Sequence, residues 1–376
     1  MEDLCLLLKT YYNADFIPMM NNITVSKSFK SIAKKYKRLK KGNVALIGLI
    51  YNLYHGKMIK SNKLYISGPM SITYQTSQKY DKKIYIFGEY HGKINDCTQV
   101  NLPLFSRNMD ISEYLHRLFD TTTKFIDFYI EDELFRLLPS DRKHNFLHML
   151  RHDFNNCLNP TLRKKCKWPY VRTHFVDARM IQLKSQIYIE GTNQVQNLVF
   201  ELMHDNRGSL DKYNSILKRL SSLKTHEQIA RYLIEIALSI PIVKKELKRS
   251  DLGTKKIIST LIPIVTKIYS NTFDINVWSS PSWFNWEDLK NKYILLVNFL
   301  TPLVDIYTIA RMFKTFRKSE QMPSRPHYII YYAGNSHSNI TRTFLDMLGF
   351  TTHVSRFLDN RNIRCLPMKG IDLDFK

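Results

Sequence analysis

The apolar positions of this chain change period along its length. From Lys63 to Val176 they come in short runs of β-branched and aromatic residues, and from Thr192 to Phe316 they recur at helical spacing. Four runs read as buried strands: Lys83–Phe87, Phe125–Ile130, Val171–Val176 and His327–Ala333. Two shorter ones, KLYIS and SITYQTS, flank Gly68-Pro69 and read as strands around a turn. No helical stretch separates them from Lys83, so this opening is expected to be antiparallel. Asp110 can cap a helix running to about Asp120, and Ser140 one running to about Asn155. Helical segments follow near 193–205, 209–222, 225–239, 242–250, 254–270, 286–299 and 302–316, with Thr301-Pro302 and Asp305 as an N-terminal signature. Trp278 and the Pro281–Trp286 stretch read as a loop on this helical part. Asn339–Leu348 reads as a helix stopped by Gly349, and Phe350–Phe357 as a last edge strand.

Strands joined by helices form parallel sheets. The expected fold is therefore α/β, with a mostly parallel central sheet, an antiparallel opening hairpin, flanking helices and a large helical insertion. The organisation expected is a helical basic region over 1–60, a first part of the α/β core over 61–190, a helical insertion or cap over 191–320 and the rest of the core over 321–376.

The strand ends carry the chemistry. The first strand leads into Gly88-Glu89-Tyr90-His91 and the fourth into Gly334-Asn335-Ser336-His337, so both end in Gly-x-x-His. The second ends at Glu131 and the third at Asp177-Ala178-Arg179. In open α/β sheets ligands sit beyond the carboxyl ends of the strands. Glu89, His91, Glu131, Asp177, Arg179 and His337 are thus expected to converge, with glycine at the two turns allowing φ > 0. Two histidines with carboxylates suit either of two chemistries. They can hold a divalent metal whose water attacks, with His91, His337, Glu89 and Asp177 as ligands. Alternatively a histidine or Glu89 works as general base, with Glu131 and Asp177 in support and Arg179 stabilising an anion.

These residues resemble the superfamily of erythromycin esterases, Tiki-type metalloproteases, TraB/PrgY proteins, ChaN-like proteins and a domain of the Pasteurella toxin. The matched positions are Gly88, Glu89, His91, Gly334 and His337; Glu131 matches by its place after a strand. The resemblance covers the core, about half of the chain. It implies an α/β core with an active crevice at the strand ends and hydrolysis of an ester or peptide bond, dependent on a divalent metal in Tiki-like members. Glu89 stands where Tiki-like members usually carry another residue, which weighs against the protease. An intracellular or large-DNA-virus member of the superfamily is the expectation.

Two other patterns compete. His144, His148 and His152 are four apart on one expected helix, but no HExxH accompanies them. Gly88-Glu-Tyr-His-Gly is similar to the GDxHG of metallophosphoesterases, whose remaining motifs this sequence lacks.

Composition adds a partner. The 376 residues carry a formal net charge of +23, which favours polyanionic neighbours. Lys30, Lys34, Lys35, Lys37, Arg38, Lys40 and Lys41 crowd one amphipathic stretch, Ser28–Lys41, without an acid. A basic nucleic-acid-binding or virion structural protein on a degenerate enzyme core is therefore the alternative function, with nucleic acid or an anionic surface as partner. No run of 18 apolar residues exists, so no spanning helix is expected. Five scattered cysteines without a Cys-x-x-Cys pair suggest a reducing compartment, cytoplasm or virion, and no disulfide framework. The N-terminus does not read as a signal peptide.

Overall fold

The computed structural model describes residues 64–90, 97, 107–133, 146–157, 165–178, 207–275, 296, 298–316, 322–358 and 365–368. The chain divides into units at 1–62 and 63–376, and the first lies outside the described residues. So does the basic stretch Ser28–Lys41, and so do Trp278 and Pro281–Trp286.

The elements in order are β1 (Leu64–Ser67), β2 (Ser71–Ser77), β3 (Lys82–Glu89), β4 (Arg107–Asp110), α1 (Ile111–Thr121), β5 (Ile126–Glu133), α2 (Phe146–Phe154), β6 (Val171–Asp177), α3 (Arg207–Ser222), α4 (His226–Ser239), α5 (Pro241–Arg249), α6 (Thr254–Thr272), α7 (Pro302–Met312), β7 (Tyr328–Gly334), α8 (Asn335–Met347), β8 (Thr351–Phe357) and β9 (Cys365–Pro367). Six strands form the main sheet in the order β6-β5-β7-β3-β2-β8. β6, β5, β7 and β3 run parallel, while β2 is antiparallel to both β3 and β8. The fold class and the edge position of β8 are as the sequence implies.

The opening differs in one respect. β1 and β2 do not pair. β1 leaves at Gly68 for a small second sheet, parallel to β4 and antiparallel to β9. Neither partner carries a long hydrophobic run, and β4 falls in a stretch that reads as loop.

Strand alternation gives the sheet two apolar faces. Ile84, Ile86, Tyr129, Val176, Ile329 and Tyr331 share a core with α3 to α8. Tyr85, Phe87, Phe128, Ile130, Ile330 and Tyr332 share another with α1, α2 and the small sheet. The helical insertion thus packs on one face of the sheet. Its centre is α7, in which every residue but Arg311 is buried. The helix starts are legible: Asp110 accepts from the Glu113 N–H, and Thr225 with Gln228 forms a capping box. Among the described residues no helix is long and apolar enough to cross a membrane.

The cysteines are corrected. Cys97 is bonded to Cys365 and Cys157 to Cys166, with Cα separations of 5.1 and 4.9 Å. The expectation of a chain without disulfides therefore gives way, and the two bonds weigh somewhat against a reducing compartment. Spacing hid the first pair, because its partners are 268 residues apart and meet only where β9 joins the small sheet.

Candidate active site

Three parallel neighbours, β5, β7 and β3, bring their polar ends to one edge. Glu89 of β3 lies in register with Gly334 of β7, and Glu131 near the end of β5 reaches the same glycine, whose N–H donates to Glu131 Oε2 at 2.6 Å. The chain then turns directly into α8, so His337 falls in the helix's first turn. Its Nε2 lies 3.0 Å from Glu131 Oε1 and its Nδ1 3.0 Å from Asp305 Oδ2 on α7.

This imidazole is clamped between two carboxylates, all three groups being at most 4% exposed. Burial pushes its pKa down. The charges of Glu131 and Asp305 and their hydrogen bonds outweigh that and raise it from 6.5 to about 10. At neutral pH His337 is an imidazolium with both N–H groups donated. It holds the start of α8 against β5 and α7.

Glu89 sits on the other face, next in alternation to Phe87. The hydroxyl of Tyr332 donates to its Oε2 at 2.5 Å. Arg151 of α2 pairs with the neighbouring acid Asp132 at 2.8 Å and lies over the Phe175 ring. Asp177, at the end of β6, is in register with Glu133. Two strands separate β6 from β3, so Asp177 and Glu89 stand three strand spacings apart, roughly 14 Å. Glu131 and His337 are therefore brought together and Glu89 lies beside them across the sheet, whereas Asp177 is remote from Glu89. His91 and Arg179 lie outside the described residues. Among the described residues no three His, Cys, Asp or Glu side chains are grouped to hold a metal ion.

The two glycines do not act as expected. Neither has positive φ; Gly334 has φ −55° and ψ 148°, and Gly88 is extended within β3. What Gly88 provides is room. A Cβ there would lie 2.4 Å from Ser71 Oγ and 2.7 Å from Asn335 Oδ1, two atoms that are hydrogen-bonded to each other at 3.0 Å. Arg342, also buried, donates to the same Ser71 Oγ at 2.8 Å. Gly88→Ala should therefore force α8 away from β3, at a cost of roughly 1–3 kcal/mol, read as a lower urea midpoint with an unchanged slope.

Two further clusters were not singled out from the sequence. Asp127 of β5, fully buried, accepts from Arg172 Nε and Nη2 at 2.6 and 3.1 Å and pairs with His174 Nε2 at 2.7 Å. Arg311 Nη2 lies 2.8 Å from His174 Nδ1. Burial, with Arg311 and Arg172 adding to it against the Asp127 hydrogen bond, lowers the His174 pKa to about 3. The ring is neutral, donating from Nε2 and accepting at Nδ1. The signal was an acid, an arginine and a histidine inside otherwise apolar strands. Asp305 gave a similar signal, a lone acid in the buried run LVDIYTIA.

The other cluster joins Ser112, His116 and Asp153. Ser112 Oγ donates to Asp153 Oδ2, and His116 Nε2 lies 3.4 Å from both Ser112 Oγ and Asp153 Oδ2. A nucleophilic relay needs serine and acid on opposite ring nitrogens. Here both approach one nitrogen, so the cluster joins α1 to α2. Of the spaced histidines on α2, His152 is 53% exposed and lies 3.2 Å from Asp153, and His144 is outside the described residues.

The chain matches no protein-family model, no curated protein and no solved structure.

Proposed function

We propose that this protein is a hydrolase that cleaves an ester or peptide bond beyond the carboxyl ends of β3, β7 and β5. One observation carries the reading: buried acids and a buried, charged histidine are concentrated at that edge. Glu131, Asp305 and a charged His337 gather around one strand–helix junction, and Glu89 lies at the same strand-end edge on the opposite face of the sheet. Burying charge is costly, and such clusters are characteristic of functional sites in the crevice of α/β sheets.

The roles divide by protonation. His337, charged at neutral pH and engaged at both nitrogens, is a positioning residue. General base work falls to Glu89, oriented by Tyr332, together with His91 two residues on. Arg179 would receive an anionic group of the substrate or the developing oxyanion. In the metal-dependent version of the same chemistry His91 and Glu89 would be the ligands, and the bound water would be the nucleophile.

The test uses a panel of aryl esters, lactones and fluorogenic peptides, with and without a chelator, and metal content by elemental mass spectrometry. Turnover of one class should fall about 10²- to 10⁴-fold in Glu89→Gln and in His91→Ala, with unfolding midpoints near wild type. Activity that survives both substitutions removes the reading. A near-stoichiometric metal lost in His91→Ala selects the metal-dependent version.

A further inference from the structure

The corner where α5 meets α6 carries cations that no acid among the described residues pairs with. Lys244, Lys245, Lys248 and Arg249 form one exposed stripe on α5, repeating every turn. Lys255 and Lys256, six and seven residues after Arg249 and also exposed, occupy the first turn of α6. None of the six is drawn into an ion pair among the described residues. Some exposed cations elsewhere do find acids, as in Arg117–Glu113 and Arg231–Glu227. The acids near the corner are spent. Glu246 is buried against Lys314 at 2.6 Å, and Asp251 is held by Arg325 at 3.2 Å and by the Thr315 hydroxyl.

The backbone deepens the field. α6 is a 19-residue helix that starts at Gly253, φ 72°, with no side-chain cap. Its unsatisfied N–H groups and dipole already favour an anion, and the first turn adds two lysines where acids normally stand. The fold gains nothing from this arrangement on its own, whereas a phosphate at the corner would relieve it.

We propose that the α5–α6 corner binds the phosphate backbone of a double-stranded nucleic acid. The surface itself selects this partner. Of the exposed large hydrophobic side chains, Tyr90, Tyr170, Met347 and Phe357, none is on α5 or α6. Among the described residues the corner has no aromatic platform on which single-stranded bases could stack. Nor, among the described residues, does it offer an exposed large apolar side chain for insertion into a lipid interface. A rigid helical pair bearing only cations fits a regular phosphate array. The corner also adjoins the Arg311–Lys314 end of α7, whereas Asp305, toward the other end, serves the candidate active site.

Binding of a labelled 20-base-pair DNA duplex to the full chain, followed by fluorescence anisotropy from about 50 to 300 mM salt, tests the proposal. Lys244→Glu/Lys245→Glu/Lys248→Glu should weaken binding at least about tenfold and reduce the slope of log K against log salt by about 2.7, three phosphate contacts' worth. Lys255→Gln/Lys256→Gln, a milder change in case the first variant fails to fold, should reduce it by about 1.8. Unchanged affinity in both variants overturns the proposal. So does loss of binding only in Lys34→Glu/Lys35→Glu/Lys37→Glu, or association with anionic vesicles without duplex binding.

Discussion

His337→Ala should be the most damaging single substitution in the described structure, lowering stability by roughly 3–5 kcal/mol at pH 7, a large fraction of what a typical domain has. The histidine is the cation that makes Glu131 and Asp305 tolerable in an interior where their side chains are 2% and 0% exposed. Its removal leaves two carboxylates facing a cavity. They must then take up protons or admit water. Urea unfolding followed by near-ultraviolet circular dichroism reads the effect. The pH dependence identifies its cause. A pKa raised from 6.5 to about 10 on folding means that the stability owed to the charged ring is fully present below about pH 6.5. It is lost as pH rises through about 10, and the full span corresponds to roughly 5 kcal/mol. Wild type should therefore lose stability between pH 7 and 10, while His337→Ala stays flat or falls less. Equal slopes in the two proteins would show that the ring is not charged in the folded state.

Asp127→Ala should follow, at roughly 3–5 kcal/mol, with the opposite pH signature. Here the acid is the buried partner and Arg172 is left without its carboxylate. Burial alone would raise the Asp127 pKa, but the His174 hydrogen bond and the Arg172 charge hold it below 3.8. Its contribution is present above about pH 3.8 and is lost as pH falls through the lower folded value. The gap between wild type and variant should stay constant from pH 5 to 8 and close in acid. His174, whose pKa is lowered from 6.5 to about 3 on folding, costs stability as pH falls below about 6.5, where the unfolded ring takes up a proton and the folded ring does not.

The strands and most helices of the described part were legible because their signals are local. Periodicity located the four parallel strands, and Asp110 and Thr301-Pro302 marked helix starts where the structure has them. The site was legible in part. Strand ends announced Glu89, Glu131 and His337, since a polar cluster after a buried strand has few other places to go. Asp305 and Tyr332 were hidden because their partners are remote in sequence: Asp305 is 32 residues from His337 and Tyr332 is 243 from Glu89. Strand order also escaped the sequence. It separates Asp177 from Glu89, and no residue near either encodes that two strands intervene. At Gly88 the constraint comes from the approach of Ser71 and Asn335, which no backbone propensity reports.

The Cys97–Cys365 bond turns most of the protein into a covalent ring. From the segment after β3, through β5 to β8, to β9, the chain is closed on itself across 268 positions. The candidate active-site residues Glu131, Asp305 and His337 and the basic corner of α5 and α6 all lie inside that circuit, while β1 to β3 hang from it as a tail. A single break in the backbone of the ring opens the circle without releasing a piece, so the two halves of the sheet stay joined by sulfur when the peptide chain no longer joins them.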